Sequence, residues 1–375
     1  MKLLCVKARN FKNIADDCIL DFVAYSKRTS EDKEYELQEI APGLFTFNAV
    51  AFVGKNASGK TSALDLLDCV YSILGSFSLE GKDYSYERIH LEIFFYEKGS
   101  VYKYVTDLAN KEGTSKAAFS NQKLYEKKYY KTYLKSIYED ERFSELAFDA
   151  PLPDTVSILF LLLKEGNGAF YYSSFGFGKD TYKELFSLLK QGDFPSSLLS
   201  RIIHLFDESI LGLERVDELN YRILRKEGNL VLSEGSLYHY LSSGTTKGIL
   251  LYSRVADSLR GGTDLLIDEI ENHFHKTLVE NIIDLYKDKR VNAHHATLYF
   301  STHYPELLNL FNRQDDIYIC RFEGKVKLEN LYLNYHVRSE LSKSRQFYAN
   351  AFKTELNYDD LMGVKKELIE WAKSS

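Results

Sequence analysis

An apolar run from Ala49 to Val53 leads straight into Gly54-Lys-Asn-Ala-Ser-Gly-Lys60-Thr61, and a helix-forming stretch from Ser62 to Leu74 follows. No other part of the chain constrains its fold as much. A strand that delivers a glycine-rich loop to a helix N-terminus is how proteins build a phosphate-binding loop. The glycines free the backbone to curl round an anion, and the helix presents open N–H groups and its positive dipole end. Gly54, Lys55, Asn56, Ala57, Ser58, Gly59, Lys60, Thr61 and the first helical residue, Ser62, are therefore candidate nucleotide contacts. In such a loop the lysine, Lys60, reaches the β- and γ-phosphates and the hydroxyl of Thr61 ligates Mg²⁺.

The pattern further along extends this reading to an α/β fold. Helix 244–259, strand 264–267, helix 273–287, strand 297–301 and helix 305–312 alternate, and a hairpin over 316–332 turns at Glu323-Gly-Lys325. Alternation of this kind marks a parallel sheet with covering helices. Before the loop, residues 3–8 and 18–24 alternate apolar and polar as half-buried strands, with a charged, exposed loop over 26–39. After it, 88–96 and 101–105 flank Glu97-Lys-Gly-Ser100 as a hairpin. The sheet is therefore expected to be mixed. Residues 107–235 read as an inserted, mostly helical lobe, with an apolar run 156–163 and helix-like segments 181–191 and 196–206. The expected organisation is 1–106 and 236–335 as two halves of one nucleotide-binding head, 107–235 as the insertion, and 336–375 as an extension with helices 338–353 and 362–373.

Bulk properties narrow the class. With 375 residues and 45% hydrophobic content, the chain can form two to three domains with a large core and needs no staples. Cys5, Cys18, Cys69 and Cys320 show no metal-ligand spacing and read as reduced core residues, which points to the cytoplasm. The N-terminus is too short and too charged for a signal peptide, and no window approaches a membrane span. The net charge of −6 leaves room for a local basic groove, so nucleic acid is neither implied nor excluded. The run Lys123-Leu-Tyr-Glu-Lys-Lys-Tyr-Tyr-Lys-Thr-Tyr-Leu-Lys135 fits either an amphipathic helix with snorkelling lysines or a stacking surface for single strands. Asp359-Asp360 reads as a solvated pair on a loop.

Three further segments end where a nucleotide site needs them. Gly262-Thr-Asp-Leu-Leu-Ile-Asp268-Glu269 is an apolar strand closing on two carboxylates, and open α/β sheets bind ligands at such strand ends. Asp268 is the expected partner of the Mg²⁺ shell, and Glu269 the group that polarises the attacking water. Thr297-Leu-Tyr-Phe-Ser-Thr-His303 is a second such strand, whose His303 is placed to donate to a γ-phosphate. Leu241-Ser242-Ser243-Gly244 opens a helix with serines at the cap, either as a plain helix cap or as a second phosphate site. A site with hydroxyls and no lysine of its own completes only half a shell, so the other half is expected from another subunit.

The order of these motifs resembles the ABC-type ATPases of the SMC and RecF branch. Gly54–Thr61 looks like Walker A, Ser242–Gly244 like the signature motif, Leu265–Glu269 like Walker B and His303 like the switch histidine. The start Val6-Lys-Ala-Arg-Asn-Phe-Lys12 and the run Asp268-Glu-Ile-Glu-Asn-His-Phe-His275 are similar to the RecF-like and OLD-like ATPases of bacterial anti-phage and abortive-infection systems. The resemblance covers about residues 1–105 and 235–335. It implies an ABC-type ATPase head that binds ATP and Mg²⁺ and hydrolyses ATP. It also implies a head-to-tail homodimer that sandwiches nucleotide between Walker A of one chain and the signature of the other.

Two features depart from the family pattern. The signature lacks the Gly-Gly-Gln ending, and no Gln closes 88–96, which leaves Gln122 and Gln191 as the only glutamines between the two halves. With about seventy residues after His303, the chain is not expected to hold the Toprim domain of OLD nucleases. The resemblance therefore implies a sensor or regulator acting on a separate effector, a nuclease or toxin. A RecF-like DNA-repair ATPase and a non-hydrolysing nucleotide-dependent scaffold are the alternatives.

Overall fold

Alternating apolar residues open the chain as β1 (Lys2–Arg9) and β2 (Cys18–Asp21), followed by β3 (Leu37–Ala41), β4 (Leu44–Phe47) and the fully buried β5 (Ala49–Val53). The glycine-rich loop then turns into α1 (Lys60–Gly75). Three long strands follow, β6 (Ile89–Glu97), β7 (Ser100–Asn110) and β8 (Ala117–Lys128), and then the short β9 (Ser144–Leu146). Next come α2 (Leu159–Leu162), β10 (Ala169–Ser173), α3 (Thr181–Gln191) and α4 (Ser196–Phe206). Strands β11 (Ile210–Arg215), β12 (Asn220–Arg225) and β13 (Leu230–Ser233) lead through α5 (Glu234–Tyr240) to α6 (Ser243–Gly261). Then β14 (Asp264–Asp268), α7 (Lys276–Lys287), β15 (Leu298–Thr302), β16 (Ile317–Glu323) and β17 (Lys325–Asn330) complete the sheets. Helices α8 (Leu331–Asn334), α9 (Lys343–Tyr348) and α10 (Tyr358–Lys373) follow them. This is a computed structural model, and it describes residues 1–373 apart from 83, 85–86, 112–113, 115, 149–150, 164–165, 174–180, 192–193, 273, 336–340 and 355–357.

Two six-stranded sheets carry the architecture. The antiparallel one runs β2-β1-β6-β7-β8-β9; the other runs β10-β14-β15-β5-β16-β17 and is parallel except for β17. The parallel sheet is covered on both faces, which is why its strands read as unbroken apolar runs. Val50 and Phe52 of β5 face a core shared with Leu64, Leu67 and Tyr71 of α1, while Ala49, Ala51 and Val53 face a second core with Ile249 of α6 and Ile282 of α7. Each large apolar side chain buried this way contributes roughly 1.5–3 kcal/mol. Register then aligns the strand ends: Val53 lies opposite Thr302, Phe52 opposite Ser301, and Ile267 opposite Phe300. Residues 54, 268–269 and 303 therefore leave the sheet at one carboxyl edge. Among the described residues, no helix is long and apolar enough to cross a membrane.

The segment 107–235 contains more strand than expected. β7 runs through the expected boundary at 106/107 to Asn110, β8 and β9 extend the same antiparallel sheet, β10 joins the parallel sheet beside β14, and β11 to β13 form a sheet of their own. The lysine- and tyrosine-rich run is not an amphipathic helix: it is β8 as far as Lys128, followed by a 3-10 turn over Lys131–Ser136. Pairing with β7 from Ser100↔Lys128 to Val105↔Lys123 decided this, a long-range choice that helical spacing cannot register.

Smaller differences follow the same logic. Residues 26–39 are not simply an exposed loop, because Asp32 and Glu36 are buried and pair with Arg313 and Lys287. The segment 305–312 forms a 3-10 turn over Pro305–Leu310, the apolar run 156–163 yields only α2, and helix 338–353 is reduced to α9, with 336–340 outside the described residues. Residues 359–360 lie in α10 rather than on a loop. Helix α7 begins at Lys276, capped by His275, whose ring accepts from the Thr277 N–H; His273 lies outside the described residues.

Candidate functional site

The loop after β5 is shaped by its two glycines. A Cβ at Gly54 would overlap the Cys320 carbonyl and the Ser58 hydroxyl, and one at Gly59 would overlap the Val326 side chain. Gly59 also adopts φ +96°, a conformation that costs any L side chain strain. Gly59 gives α1 no side-chain cap and the first turn holds no acid, so the open N–H groups of P-loop and helix remain available to an anion. Ser58 is fully buried, and its hydroxyl has no hydrogen-bond partner among the described residues. An orphaned donor inside an anion cradle is what a phosphate oxygen would satisfy.

Lys60 is buried, and its ammonium donates to the Gly54 and Lys55 carbonyls at 3.0 Å each. Its third contact is His303 Nδ1 at 2.9 Å. An ammonium can only donate, so Nδ1 must accept and the ring proton sits on Nε2. Nε2 in turn lies 3.0 Å from Glu269 Oε1. Lys60, His303 and Glu269 thus form one chain of donors and acceptors. Burial lowers the pKa of Lys60, and the charges of Glu269, Glu271 and Asp268 oppose that shift.

The two carboxylates at the end of β14 are held differently. Asp268 is buried and accepts from Ser301 Oγ at 2.5 Å and Thr61 Oγ1 at 2.9 Å. Burial raises its pKa, against the lowering effect of those two hydroxyls. Glu269 turns off the strand in a left-handed conformation, φ +52°, with its N–H donating to Ser301 Oγ at 2.7 Å. Its side chain reaches outward, where Asn272 Nδ2 donates to Oε2 and His303 Nε2 faces Oε1. One serine on the adjacent strand therefore holds the carboxylate of Asp268 and the backbone of Glu269.

A cleft of about 660 Å³ opens over this edge, lined by Asn13, the loop from Asn56 to Ser62, Glu269, Asn272 and His303. The candidates from the loop, from β14 and from β15 thus converge. Ser242, Ser243 and Gly244 are not among the described lining residues. They open α6 elsewhere, with Ser242 Oγ accepting from the Thr245 N–H at 3.0 Å. Gln122 is also absent from the described lining: it bonds the Tyr104 hydroxyl and the backbone of Val156 and Ile158, so it ties β8 to that segment. The side chain of Gln191 lies outside the described residues.

Sequence reasoning missed Ser301, Glu271, Asn272 and Asn13. Ser301 was legible as the inward position next to Thr302, and Glu271 and Asn272 lie two and three residues past Glu269 in a run already singled out. Glu271 is buried and accepts from the His303 N–H, which fastens the turn after β14 to the end of β15. Asn13 receives a 3.2 Å hydrogen bond from Ser62 Oγ. As for Mg²⁺, the Thr61 hydroxyl and Asp268 carboxylate, 2.9 Å apart, supply the hard oxygen atoms that this ion prefers. No group of three or more His, Cys, Asp or Glu side chains that could hold a metal occurs among the described residues. A phosphate-bound Mg²⁺ needs only one or two protein oxygens beside the phosphates, so the pair fits.

Comparison with known proteins adds a family. Residues 49–309 match the family described as "AAA domain, putative AbiEii toxin, Type IV TA system". The chain is also similar to an SMC head domain from Thermotoga maritima, at 12% identity over 88% of this chain and 99% of that one, with a TM-score of 0.41. A second similar structure is an SMC head bound to the C-terminal winged-helix domain of ScpA, at 12% identity over 89% of this chain and 98% of the other, TM-score 0.49. No curated protein matches the chain.

Proposed function

The chain belongs to that AAA-domain family, and from this premise we propose that it is a Mg²⁺-dependent ATPase whose site is closed by a second copy of itself. The observation that carries the reading is the meeting of Lys60, Thr61, Asp268, Glu269 and His303 at one sheet edge, around a single cleft. Lys60 and the loop and first-turn N–H groups receive the phosphates. Thr61 and Asp268 hold Mg²⁺, which neutralises phosphate charge when bound. Glu269 takes the proton of the attacking water as its oxygen bonds the γ-phosphorus and the bond to the ADP oxygen breaks. His303 gives up its contact with Lys60 and turns its Nε2–H from Glu269 to the γ-phosphate.

Ser242, Ser243 and Gly244 are the proposed closure from the partner copy, which makes a homodimer the working unit. They crown a helix of nineteen residues whose first turn carries no acid, a suitable anion-facing end. The toxin–antitoxin wording of the family description supports a further extension: the ATPase senses or regulates for a separately encoded effector in bacterial anti-phage defence, in the cytoplasm.

Phosphate release and light scattering, each with ATP and Mg²⁺, test the core of this. Wild type should hydrolyse ATP and gain dimer, Lys60→Ala should lose nucleotide binding, and Glu269→Gln should bind ATP, stay dimeric and lose turnover about 10²- to 10³-fold. Unchanged turnover in Glu269→Gln would overturn the assigned base. Nucleotide binding without hydrolysis in wild type would make the chain a scaffold instead.

A further inference from the structure

The geometry points to Asn272 as the positioning residue of Glu269, a role that rests on the ATPase reading above. Glu269 is an awkward group to aim. Its backbone sits at φ +52°, off the end of β14, and its side chain is a flexible arm reaching over a cleft. Residues in that backbone region persist only where surrounding contacts impose them. Here the imposing contacts come from the turn that follows: the Asn272 N–H donates to the Glu269 carbonyl at 2.9 Å, and Asn272 Nδ2 donates to Glu269 Oε2. Backbone and carboxylate of one residue are thus held by backbone and side chain of another, three positions on.

The second donor to that carboxylate is of another kind. His303 Nε2 faces Oε1, but the same ring also accepts from Lys60, the residue that a phosphate draws away. When the histidine turns towards phosphate, Oε1 is released to accept the water proton, while Asn272 keeps Oε2 and with it the direction of the carboxylate. The division leaves one oxygen fixed and one free for chemistry, which is how a general base is kept within reach of its water without being consumed by its own supports. Asn272 also lines the cleft, so its amide acts beside the reacting atoms without needing to touch them.

Asn272→Ala removes the hydrogen bond to Oε2, and Asn272→Asp keeps the shape while replacing a donor by a negative charge. Asn272→Ala should bind 2′(3′)-N-methylanthraniloyl-ATP within about twofold of wild type, because it adds no charge to the cleft and leaves the loop intact. Turnover should fall about 10- to 100-fold with KM for ATP little changed, the size expected for losing the aim of a general base. The loss of turnover should be larger in Asn272→Asp than in Asn272→Ala, because a charge at that position repels the carboxylate that the amide holds. A purely structural role would lower turnover and raise KM together, and would overturn the assignment, as would variants with wild-type turnover. Melting temperatures within a few degrees of wild type confirm that folding is intact; a variant that unfolds instead shows that Asn272 supports the fold and likewise defeats the proposal. Absence of hydrolysis in wild type defeats the ATPase reading and this role together, which separates the two failures.

Discussion

Both edges of the parallel sheet are crowded with charge, yet they use it in opposite ways. At the amino edge, Lys2 Nζ meets Asp264 Oδ1 at 2.8 Å, and the same carboxylate accepts from the Tyr71 hydroxyl and the Thr297 N–H. Nearby, Lys287 pairs with Glu36 at 2.8 Å, and Arg313 spans Asp32 and Asp315. Those groups are sealed from water, and each has fixed partners drawn from distant parts of the chain: β1 to β14, α1 to β14, and the residues before β3 to α7. At the carboxyl edge, Lys60, His303 and Glu269 face a cleft and hold one another only in sequence, so each has a second partner it can take. Charge that is fully paired in the interior specifies how elements dock, whereas charge left able to exchange partners can bind and react.

Substitutions at the two edges should therefore separate stability from nucleotide chemistry. Lys2→Met strands the Asp264 carboxylate and should cost about 3–5 kcal/mol in denaturant unfolding, with ATP affinity of the folded fraction unchanged. An affinity loss at full stability would break the contrast outright. Glu269→Gln should lower turnover about 10²- to 10³-fold, near 3–4 kcal/mol in the barrier, yet shift unfolding by less than about 0.5 kcal/mol. A large stability change would mean that this carboxylate also serves as a structural pin.

Asp316 is the exception at the amino edge and gives the finest test. It is buried beside β16, and neither of its carboxylate oxygens has a hydrogen-bond partner among the described residues. Burial, helped by Glu36 and Asp315, holds its pKa well above the ordinary aspartate value, against Lys287 and Arg313. A raised carboxyl keeps its proton in the fold at pH values where the unfolded chain has lost it. Its contribution to stability therefore declines as pH climbs from about 4, the unfolded value, through the folded one. Asp316→Asn lacks that decline and should gain on wild type with rising pH, by about 1–2 kcal/mol near neutrality. A difference in melting that stays constant with pH would show that this carboxyl does not titrate as buried.

How far the sequence could be read differs in the same way between local and distant determinants. The loop, α1, β14 and β15 were legible because each is specified within a dozen residues: a strand's apolar run, a glycine that must adopt φ > 0, a polar group at the strand end. The lysine- and tyrosine-rich run was not, since whether it pairs with β7 or coils alone depends on a partner outside the segment. The same holds for β10, which reaches the parallel sheet only by lying beside β14, and for Asp32 and Glu36, whose partners Arg313 and Lys287 lie 281 and 251 residues away.

The amino-acid sequence by itself determined that this chain carries a phosphate-binding loop and two strands ending in Asp268-Glu269 and His303, because backbone conformation and strand patterning are local physics. Only the tertiary structure decided that Ser301 holds the Asp268 carboxylate and the Glu269 backbone, that Lys60 and Glu269 are joined through one imidazole, and that Asn272 holds the carboxylate of Glu269. Those contacts exist because parallel register brings three separate strand ends to one edge, a condition that no window of the sequence contains.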